Sequence, residues 1–427
     1  MFLLVALTAC TGSDSGETED TQPPPDTGPF YSASADCGTR TIHPSLLRWP
    51  YVQNITTTTG VIAWGRGVEG AQQSGTLMWG ADASTSQTAA ATVRTIPGDG
   101  LDIDLLSAEM TGLEAGTEYC YKVEINGEVM AEGLSFRTAP ESPYAPVDFT
   151  VIGDFGKGND LQASVRDQML QKIDEADLHL TVGDNAYSSG TWEEWQRNVF
   201  TVYQELWTKA PVYMVAGNHD WSEELGLEPQ LANLFMPENA TREQDKEIYW
   251  SMDWGPLHVV GLDTEKKLLE LTPLDDSDND MYEWLEADLA ATDKPWKIAV
   301  FHHPPYSEDP SRGGHPIVAT SLMPILQNHG VNLALIGHDH FYVRYWPLFD
   351  QAVASAENLS LGVTYVVSGG GGAEPREMEQ PLTDDRVAYR ESTNQFLWVH
   401  ADFCTLEGKS IDLNGVEIDA FTINRCE

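Results

Sequence analysis

The stretch Leu178-His179-Leu180-Thr181-Val182-Gly183-Asp184-Asn185-Ala186-Tyr187 decides the fold of this chain. Its first half is mostly apolar or β-branched, which predicts a buried strand. Its second half brings a carboxylate, an amide and a phenol to the point where that strand ends. Buried polar groups are costly unless they have partners, so the combination points to a functional site at a sheet edge.

The same arrangement occurs four more times. An apolar, strand-like run precedes each of the motifs Asp154-Phe155-Gly156, Gly217-Asn218-His219-Asp220, Phe301-His302-His303-Pro304 and Gly337-His338-Asp339-His340. The pattern predicts a buried sheet whose strand ends deliver all these side chains to one edge, where open α/β sheets place their sites. The mixture of carboxylate, amide, phenol and imidazole suits a pair of first-row transition ions. No cysteine lies near the motifs to form a thiolate zinc site.

Composition excludes some classes of partner. The chain has 427 residues, 41% of them hydrophobic, which gives room for two or three globular domains. Its 66 acidic and 24 basic residues give a formal charge of −42. Such a surface repels nucleic acid and anionic membranes, so neither is expected as a partner. The acidity is interpreted as a solubility property, including adaptation to a salty medium.

The N-terminus predicts export. Residues 1–10 are apolar and end in Leu7-Thr8-Ala9-Cys10, which resembles the lipobox of bacterial lipoproteins, so Cys10 is the predicted lipid-attachment site. Residues 11–36 are mostly Ser, Thr, Gly, Pro, Asp or Glu and are predicted to form a disordered acidic tether. The alternative is a buried N-terminal strand with a free thiol.

No run of about 18 apolar residues occurs, so membrane attachment is expected only through a lipid anchor. The expected location is the bacterial cell envelope, either periplasmic or surface-exposed. The four remaining cysteines form an even set, which is typical of an exported protein with two disulfides. The local pairs Cys37 with Cys120 and Cys404 with Cys426 are favoured, although the sequence does not fix the connectivity.

Residues 37–140 are predicted to form an all-β domain, because short β-rich runs alternate with turns of Gly, Asn and Thr. The segment 113–123 resembles the tyrosine corner and following strand of a fibronectin type III domain. Together with Trp49 and Trp64, this resemblance implies a fibronectin III-like sandwich.

Residues 147–427 are predicted to form a second domain in which strands alternate with helices. Apolar residues at helical spacing predict a helix over 161–176 and another over 281–289. A capping box, Thr191-Trp192-Glu193-Glu194, predicts the start of an aromatic helix that runs to Trp207.

The five motifs closely resemble those of the calcineurin-like metallophosphoesterases and, more narrowly, of the purple acid phosphatases, whose pattern is DxG, GDxxY, GNH(D/E), VxxH and GHxH. The resemblance covers residues 149–372, including the glycine-rich segment 368–372. Tyr187 is the discriminating residue, because most metallophosphoesterases lack this tyrosine. One departure is Ala299, where the pattern has Val. The implied fold is an α/β (α+β) sandwich of two sheets flanked by helices, preceded by the all-β domain.

The resemblance implies a binuclear centre with Fe(III) and a divalent ion, either Zn, Mn or Fe(II). The ferric ion is assigned to Asp154, Asp184, Tyr187 and His340. The divalent ion is assigned to Asn218, His302 and His338, with Asp184 bridging the two ions. Coordination preferences agree, because phenolate and carboxylates suit a hard trivalent ion, whereas imidazoles and an amide oxygen suit a divalent one.

Further site residues follow from the same resemblance. His219 and His315 are expected to be catalytic, binding the phosphoryl oxygens and protonating the leaving alkoxide. Arg312, on the glycine-rich loop before His315, is predicted to be a solvated loop residue, with a contact to phosphate as the alternative. His303 is predicted to lie behind the ligands and not to bind metal itself.

The implied activity is that of an acid phosphatase, which hydrolyses small phosphate monoesters by in-line attack of a metal-bound hydroxide. Two alternatives remain open. One is a phosphodiesterase or nucleotidase with the same metal centre, and the other is a non-catalytic surface-binding lipoprotein. The presence of all seven expected ligands argues against the second alternative. The sequence names neither the substrate nor the oligomeric state.

Overall fold

The computed structural model describes residues 29–70, 72–267 and 280–426. The predicted signal segment with Cys10 and the first part of the predicted tether lie outside the described residues. Within that tether, the Ser32 backbone N–H donates to the Gly116 carbonyl at 2.8 Å, and the Tyr31 hydroxyl donates to the Pro146 carbonyl at 2.6 Å. Ordered structure therefore begins before residue 37, because these residues find partners on the folded domains.

The N-terminal domain is a sandwich of nine strands. They are β1 Thr41–Ile42, β2 Leu46–Gln53, β3 Thr59–Gly67, β4 Gly75–Gly80, β5 Gln87–Ala90, β6 Thr92–Ile96, β7 Ile103–Thr111, β8 Glu118–Ile125 and β9 Glu128–Arg137. Two antiparallel sheets result, with the orders β1-β9-β8-β4-β5 and β2-β3-β7-β6. Trp64 and Leu106 are fully buried in the core of this domain. The Glu114 backbone N–H donates to the Tyr119 hydroxyl at 2.9 Å, which forms the predicted tyrosine corner.

The second domain contains the remaining strands. They are β10 Val147–Ile152, β11 Leu178–Thr181, β12 Val212–Met214, β13 Trp250–Trp254, β14 Leu257–Gly261, β15 Trp296–Phe301, β16 Leu333–Ile336, β17 Tyr342–Tyr345, β18 Leu348–Phe349, β19 Ala352–Val353, β20 Thr364–Ser368, β21 Val387–Glu391, β22 Gln395–Ala401, β23 Thr405–Asp412 and β24 Glu417–Asn424. One sheet has the order β12-β11-β10-β22-β23-β24 and a second has the order β13-β14-β15-β16-β20-β17-β21. The central strands of both sheets pair in parallel, and their side chains are buried on both faces.

Helices flank these sheets. They are α1 Asp160–Leu170, α2 Trp192–Glu194, α3 Thr201–Trp207, α4 Glu228–Asn233, α5 Asp280–Ala291 and α6 Met323–Asn328, with π-helical turns at Trp195–Phe200 and Val318–Leu322 and 3₁₀ turns at Glu243–Asp245 and Leu359–Leu361. The predicted capping box is present at the start of α2. The predicted helix over 161–176 is too long, because after α1 the Lys172 N–H bonds to the Met169 carbonyl, three residues back, and the chain continues as turns. None of the helices in the described part of the chain is long and apolar enough to cross a membrane.

The disulfides are local in both domains. Cys37 is bonded to Cys120 of β8, and Cys404 is bonded to Cys426 beyond β24. These are the two pairings that the sequence favours. Each bridge ties a terminal segment to a strand or hairpin of its own domain, so it restricts that segment in the unfolded chain as well.

Buried polar contacts join the two domains. Arg48 of β2 is 1% exposed, its Nε donates to Gln196 Oε1 at 2.7 Å, and its guanidinium lies 4.0 Å from the ring centroid of Phe200. The Tyr121 hydroxyl donates to the Thr208 carbonyl at 2.6 Å. Gln196, Phe200 and Thr208 lie on or next to the helical segment that follows the Tyr187 motif. The sandwich therefore supports that segment from outside.

His258 links α5 to the edge of the second sheet. Its two ring nitrogens lie 2.8 Å from Asp253 Oδ1 and 2.8 Å from Asp288 Oδ2. Burial lowers the pKa of this imidazole, but the two carboxylates outweigh burial and raise the pKa to about 9. The protonated ring is therefore favoured in the folded protein.

This link predicts a pH-dependent stability. The folded-state pKa of His258 lies above its unfolded value. The contribution of His258 to the free energy of unfolding is therefore complete below about pH 6.5 and is lost as the pH rises through about 9. We expect the wild type to lose more unfolding free energy than His258→Gln between these pH values, by on the order of 2 kcal/mol. Urea denaturation at both pH values measures this difference. His43→Gln, at a part-exposed histidine 3.8 Å from Glu128, is the matched control. Identical pH dependence in wild type and His258→Gln would disprove the assignment.

Candidate metal centre

The five motifs lie together where two sheet edges meet. Asp154, Asp184 and Asn218 follow β10, β11 and β12 of one sheet, whereas His302 and His338 follow β15 and β16 of the other. The strand-end pattern predicts that all five motifs lie at the edge of one sheet, and that prediction is wrong. The two sheets implied by the family resemblance are present. The reason is a long-range pairing, since β22 lies beside β10 and separates it from β15.

Three of the predicted ligands have an unusual backbone. Asp154, Asp184 and His338 have φ values of 55°, 54° and 72°. Residues other than glycine adopt this left-handed region rarely, at a cost of about 1–3 kcal/mol each. Such a strained backbone persists where the surrounding structure holds it in place. The left-handed conformation turns each side chain towards the site directly after its strand.

Four of the predicted ligands form a first cluster. The Tyr187 hydroxyl lies 2.9 Å from Asp184 Oδ2, 3.1 Å from Asp154 Oδ1 and 3.4 Å from His340 Nε2. His340 Nε2 lies 3.5 Å from Asp154 Oδ1. These are the four residues that the resemblance assigns to a ferric ion.

The other three ligands form a second cluster beside the first. Asn218 Oδ1 lies 3.0 Å from His338 Nδ1 and 3.2 Å from His302 Nε2. The two imidazole nitrogens are 3.3 Å apart. All seven predicted ligands are therefore brought together by the fold.

Asp184 lies between the two clusters. Its Oδ2 faces Tyr187, whereas its Oδ1 lies 3.3 Å from His302 Nε2 and accepts the His219 backbone N–H at 2.8 Å. The carboxylate is 1% exposed. One oxygen on each cluster is the arrangement that a bridging ligand requires.

Backbone carbonyls orient two of the histidines. His302 Nδ1 lies 2.9 Å from the Val182 carbonyl, and His340 Nδ1 lies 3.1 Å from the Glu374 carbonyl. A carbonyl only accepts, so each Nδ1 carries a hydrogen, and Nε2 is the nitrogen that faces the cluster. Both rings are thus prepared to bind a cation through Nε2.

The sequence analysis missed the role of Asp220. This buried carboxylate accepts the backbone N–H groups of Gly217, Asn185 and Ala186 at 2.8 to 3.0 Å and so joins two of the motif loops. Gly217 is required at this point because a Cβ there would overlap the Asp184 carboxylate. The acidic position in GNH(D/E) is the sequence feature that could have revealed this anchor.

The electrostatics of the cluster fit bound cations. Burial raises the pKa of Asp154 well above its ordinary value. Burial also acts to raise the pKa of Asp184, but the neighbouring His302 outweighs it and leaves the pKa well below the ordinary value. Burial lowers the pKa of His302, whereas Asp184 raises it to about 10. Buried oxygen and nitrogen donors turned towards one another are stabilised when cations lie between them, so the residues present fit two metal ions.

His303 lies directly behind these ligands. Its Nδ1 is 3.1 Å from Thr264 Oγ1, and its Nε2 is 3.5 Å from Glu265 Oε2. The ring also stacks near His338, with centroids 4.6 Å apart. It is close enough to the ligand atoms to belong to a metal-binding group, but both its nitrogens face other partners.

The two predicted catalytic histidines lie on opposite sides. The His219 ring packs against Tyr187 with centroids 4.5 Å apart, and its Nδ1 lies 2.7 Å from the Ser188 carbonyl. The His315 ring is 5.4 Å from the His303 ring. Burial lowers the pKa of His315, and its buried Nδ1 has no hydrogen-bond partner among the described residues.

Three cationic side chains surround the ligands. Lys157 Nζ lies 4.1 Å from the ring centroid of Tyr187. Arg312 Nη1 lies 2.7 Å from His338 Nε2, so the prediction of a solvated loop residue is incomplete: Arg312 is exposed but also contacts a predicted ligand. Arg376 Nη2 lies 3.4 Å from His340 Nε2 and had no role in the sequence analysis. The glycine-rich segment brings Arg376 here, since the Ala373 N–H donates to the Asp154 carbonyl at 2.8 Å.

Comparisons with known proteins agree with this geometry. Residues 147–342 match the family model described as calcineurin-like phosphoesterase. Purple acid phosphatase 21 of Arabidopsis thaliana is 27% identical over 66% of this chain and 62% of its own length. Acid phosphatase type 7 of Danio rerio is 25% identical over 74% of this chain and 76% of its own length. The match to purple acid phosphatase 21 therefore spans less than two thirds of that protein's length.

A solved structure shares the fold. The purple acid phosphatase PPD1 from yellow lupin (Lupinus luteus) seeds superposes with a TM-score of 0.75 over 88% of this chain and 74% of that chain, at 21% sequence identity. The shared region is longer than the matched family model and extends over both domains. This likeness concerns the fold alone.

Proposed function

Because this chain belongs to the purple acid phosphatases of the calcineurin-like phosphoesterase superfamily, we propose that it hydrolyses phosphate monoesters with a binuclear metal centre. The observation that carries the proposal is the convergence of seven buried or part-buried donors in two adjoining clusters that share Asp184. A non-catalytic binding protein does not need all seven of these ligand side chains. Such a protein would tolerate the loss of any one of them.

The cofactor belongs to the same proposal. Fe(III) would be held by the cluster with Tyr187, and Zn, Mn or Fe(II) by the cluster with Asn218, in keeping with the preference of phenolate for hard ions. When bound, such a pair supplies an activated water, orients the phosphate and neutralises its charge. Asp184 would contribute to both positions, because one of its oxygens faces Tyr187 and the other faces His302.

The chain's own residues complete the reaction. His219 is fixed by the Ser188 carbonyl beside Tyr187, where its ring can donate to a phosphoryl oxygen. His315 lies across the cluster and would give its proton to the leaving alkoxide. His303, packed between His315 and His338, positions both rings.

Export is the proposed location. Two disulfides support it, because such bonds persist in oxidising compartments. Lipid attachment at Cys10 and a bacterial cell-envelope location are part of this proposal, and comparison of membrane partitioning between wild type and Cys10→Ser in the native host would test them.

The activity is tested with a substrate panel. We expect the metal-loaded protein to hydrolyse phenyl phosphate and other monoesters in preference to bis(p-nitrophenyl) phosphate, with an acid optimum. Removal of the metals by a chelator should abolish turnover, and metal addition should restore it. Asp184→Asn should contain fewer metal ions and remain inactive, whereas Asp177→Asn, at a buried carboxylate away from the centre, should behave as the wild type. A preference for the diester would instead identify a phosphodiesterase.

The proton-donor role makes a leaving-group prediction. His315→Ala should keep its metals but lower turnover of alkyl phosphates by about 10² to 10⁴, the range for a lost general acid. The loss should be much smaller for p-nitrophenyl phosphate, because nitrophenolate leaves without protonation. His219→Ala should lower turnover of both substrates if it contacts the phosphoryl oxygens. Normal alkyl phosphate kinetics in His315→Ala would remove this residue from the mechanism.

The ferric assignment is tested by colour. A phenolate bound to Fe(III) gives a visible charge-transfer band, a property implied by the family resemblance. Iron-loaded wild type should show this band under oxidising conditions, and Tyr187→Phe should lose it while part of the hydrolysis persists, since the other three ligands remain. Tyr203→Phe, at a buried tyrosine outside the cluster, is the control and should keep the band. A colourless wild type, or a coloured Tyr187→Phe variant, contradicts the ferric assignment.

A further inference from the structure

Two arginines reach the ligand histidines from outside the five motifs. Arg312 Nη1 is 2.7 Å from His338 Nε2 and 3.4 Å from His338 Nδ1, and Arg376 Nη2 is 3.4 Å from His340 Nε2. Asp309 lies between the arginines. Its Oδ2 is 3.2 Å from Arg376 Nη1 and 4.0 Å from Arg312 Nε. One carboxylate therefore serves two guanidinium groups at this edge of the centre.

Ordinary ion pairing does not account for the position of Arg312. Its distance to Asp309 is at the limit of an ion pair, and Asp309 already accepts hydrogen bonds from the Ser311 hydroxyl and backbone N–H. The shortest contact of the Arg312 side chain is the one with His338. Asp309 itself is 6% exposed, so it is a fixed support for both guanidinium groups.

These arginine contacts are incompatible with loaded histidines. His338 presents Nδ1 to Asn218 and His302, so a cation there would leave the hydrogen on Nε2. Two donors cannot form a hydrogen bond at 2.7 Å, and Arg312 would have to turn away. Arg376 faces His340 Nε2, the lone pair that a cation would take. Metal binding therefore makes the donors of both guanidinium groups available to another acceptor.

We propose that Arg312 and Arg376, supported by Asp309, form a second anion site beside the metal centre that binds a second phosphate group of the substrate. The proposal rests on the phosphatase function proposed above. Guanidinium groups bind phosphate with paired, charge-assisted hydrogen bonds, and the metals together with His219 and His315 already serve the reacting phosphate. The preferred substrate class is thus a phosphomonoester that carries another phosphate, either as a diphosphate or at a second ester position.

Binding measurements on the metal-loaded protein test this site. Orthophosphate is compared by calorimetry with methylenediphosphonate, a diphosphate analogue whose P–C–P linkage resists hydrolysis. We expect the wild type to bind the diphosphonate more tightly. Arg312→Gln and Arg376→Gln should each reduce the ratio of the two affinities by about tenfold, the effect of a lost charged hydrogen bond. A variant that binds all phosphate compounds more weakly loses both affinities to the same extent. The ratio of the two affinities is therefore unchanged by such a general weakening.

The matched control is Arg386→Gln. Arg386 pairs with Asp384 and its side chain is 25% exposed, the same fraction as Arg376, but it contacts neither ligand histidine. This variant should keep the wild-type ratio. Metal analysis and circular dichroism of every variant establish that it is loaded and folded.

The outcomes separate the site from the function. If Arg312→Gln and Arg376→Gln lower both affinities equally, the arginines serve the reacting phosphate and the second anion site is refuted. If the ratio of the two affinities in Arg312→Gln and Arg376→Gln equals the ratio in Arg386→Gln, the second anion site is refuted as well. If the wild type hydrolyses no phosphomonoester but shows the arginine-dependent preference, the proposed function fails and the second anion site stands.

Discussion

The structure depends on the burial of one carboxylate, Asp184, between two groups of polar side chains. A buried carboxylate costs several kcal/mol unless charge and hydrogen bonds compensate it. Here the compensation comes from Tyr187 on one side, from His302 on the other and from the His219 backbone N–H. Tyr187 belongs to the same motif as Asp184, but His219 and His302 come from two other motifs, and His302 follows a strand of the other sheet. The carboxylate therefore has all its partners only when both sheets are in place. The requirement therefore couples the packing of the two sheets to the geometry of the site.

The same requirement explains the strained backbone. Asp154, Asp184 and His338 adopt left-handed conformations that together cost about 3–9 kcal/mol at 1–3 kcal/mol each. That cost is comparable with the net stability of a whole domain. It is tolerated because the strands that precede these residues are largely buried and paired on both sides, so that their ends cannot move independently. Outside them, the interface through Arg48 and Tyr121 fixes the helical segment after Tyr187, so the N-terminal sandwich contributes to the rigidity of the centre.

The clustering of the seven predicted ligands could be anticipated from the sequence because each side chain is encoded locally. A strand, a turn and a polar side chain such as Asp154 lie within a few residues, and their periodicity and chemistry are visible in the chain. Features set by distant contacts could not be predicted. The pairing of β10 with β22 brings together segments separated by most of the second domain, and it divides the expected single edge into two. Arg376 reaches the centre because a glycine-rich segment crosses the Asp154 loop, and no local pattern marks its side chain. The ordered residues Tyr31 and Ser32 were not predicted for the same reason, since their partners Pro146 and Gly116 are far away in the sequence.

A strongly acidic chain for which phosphate esters are the proposed substrates presents an electrostatic difficulty, and the distances within the centre resolve it. The charge of −42 is distributed over the whole surface, and at physiological ionic strength charges more than about 8 Å apart are largely screened. Arg312 and Arg376 lie within 3.4 Å of the nitrogens of predicted ligands, so a phosphate bound at the centre would be close to both guanidinium groups. At such short distances in a partly buried site, the attraction between guanidinium and phosphate is several times stronger than in water. At the centre these two arginines therefore act on phosphate at a range where most of the acidic surface is screened.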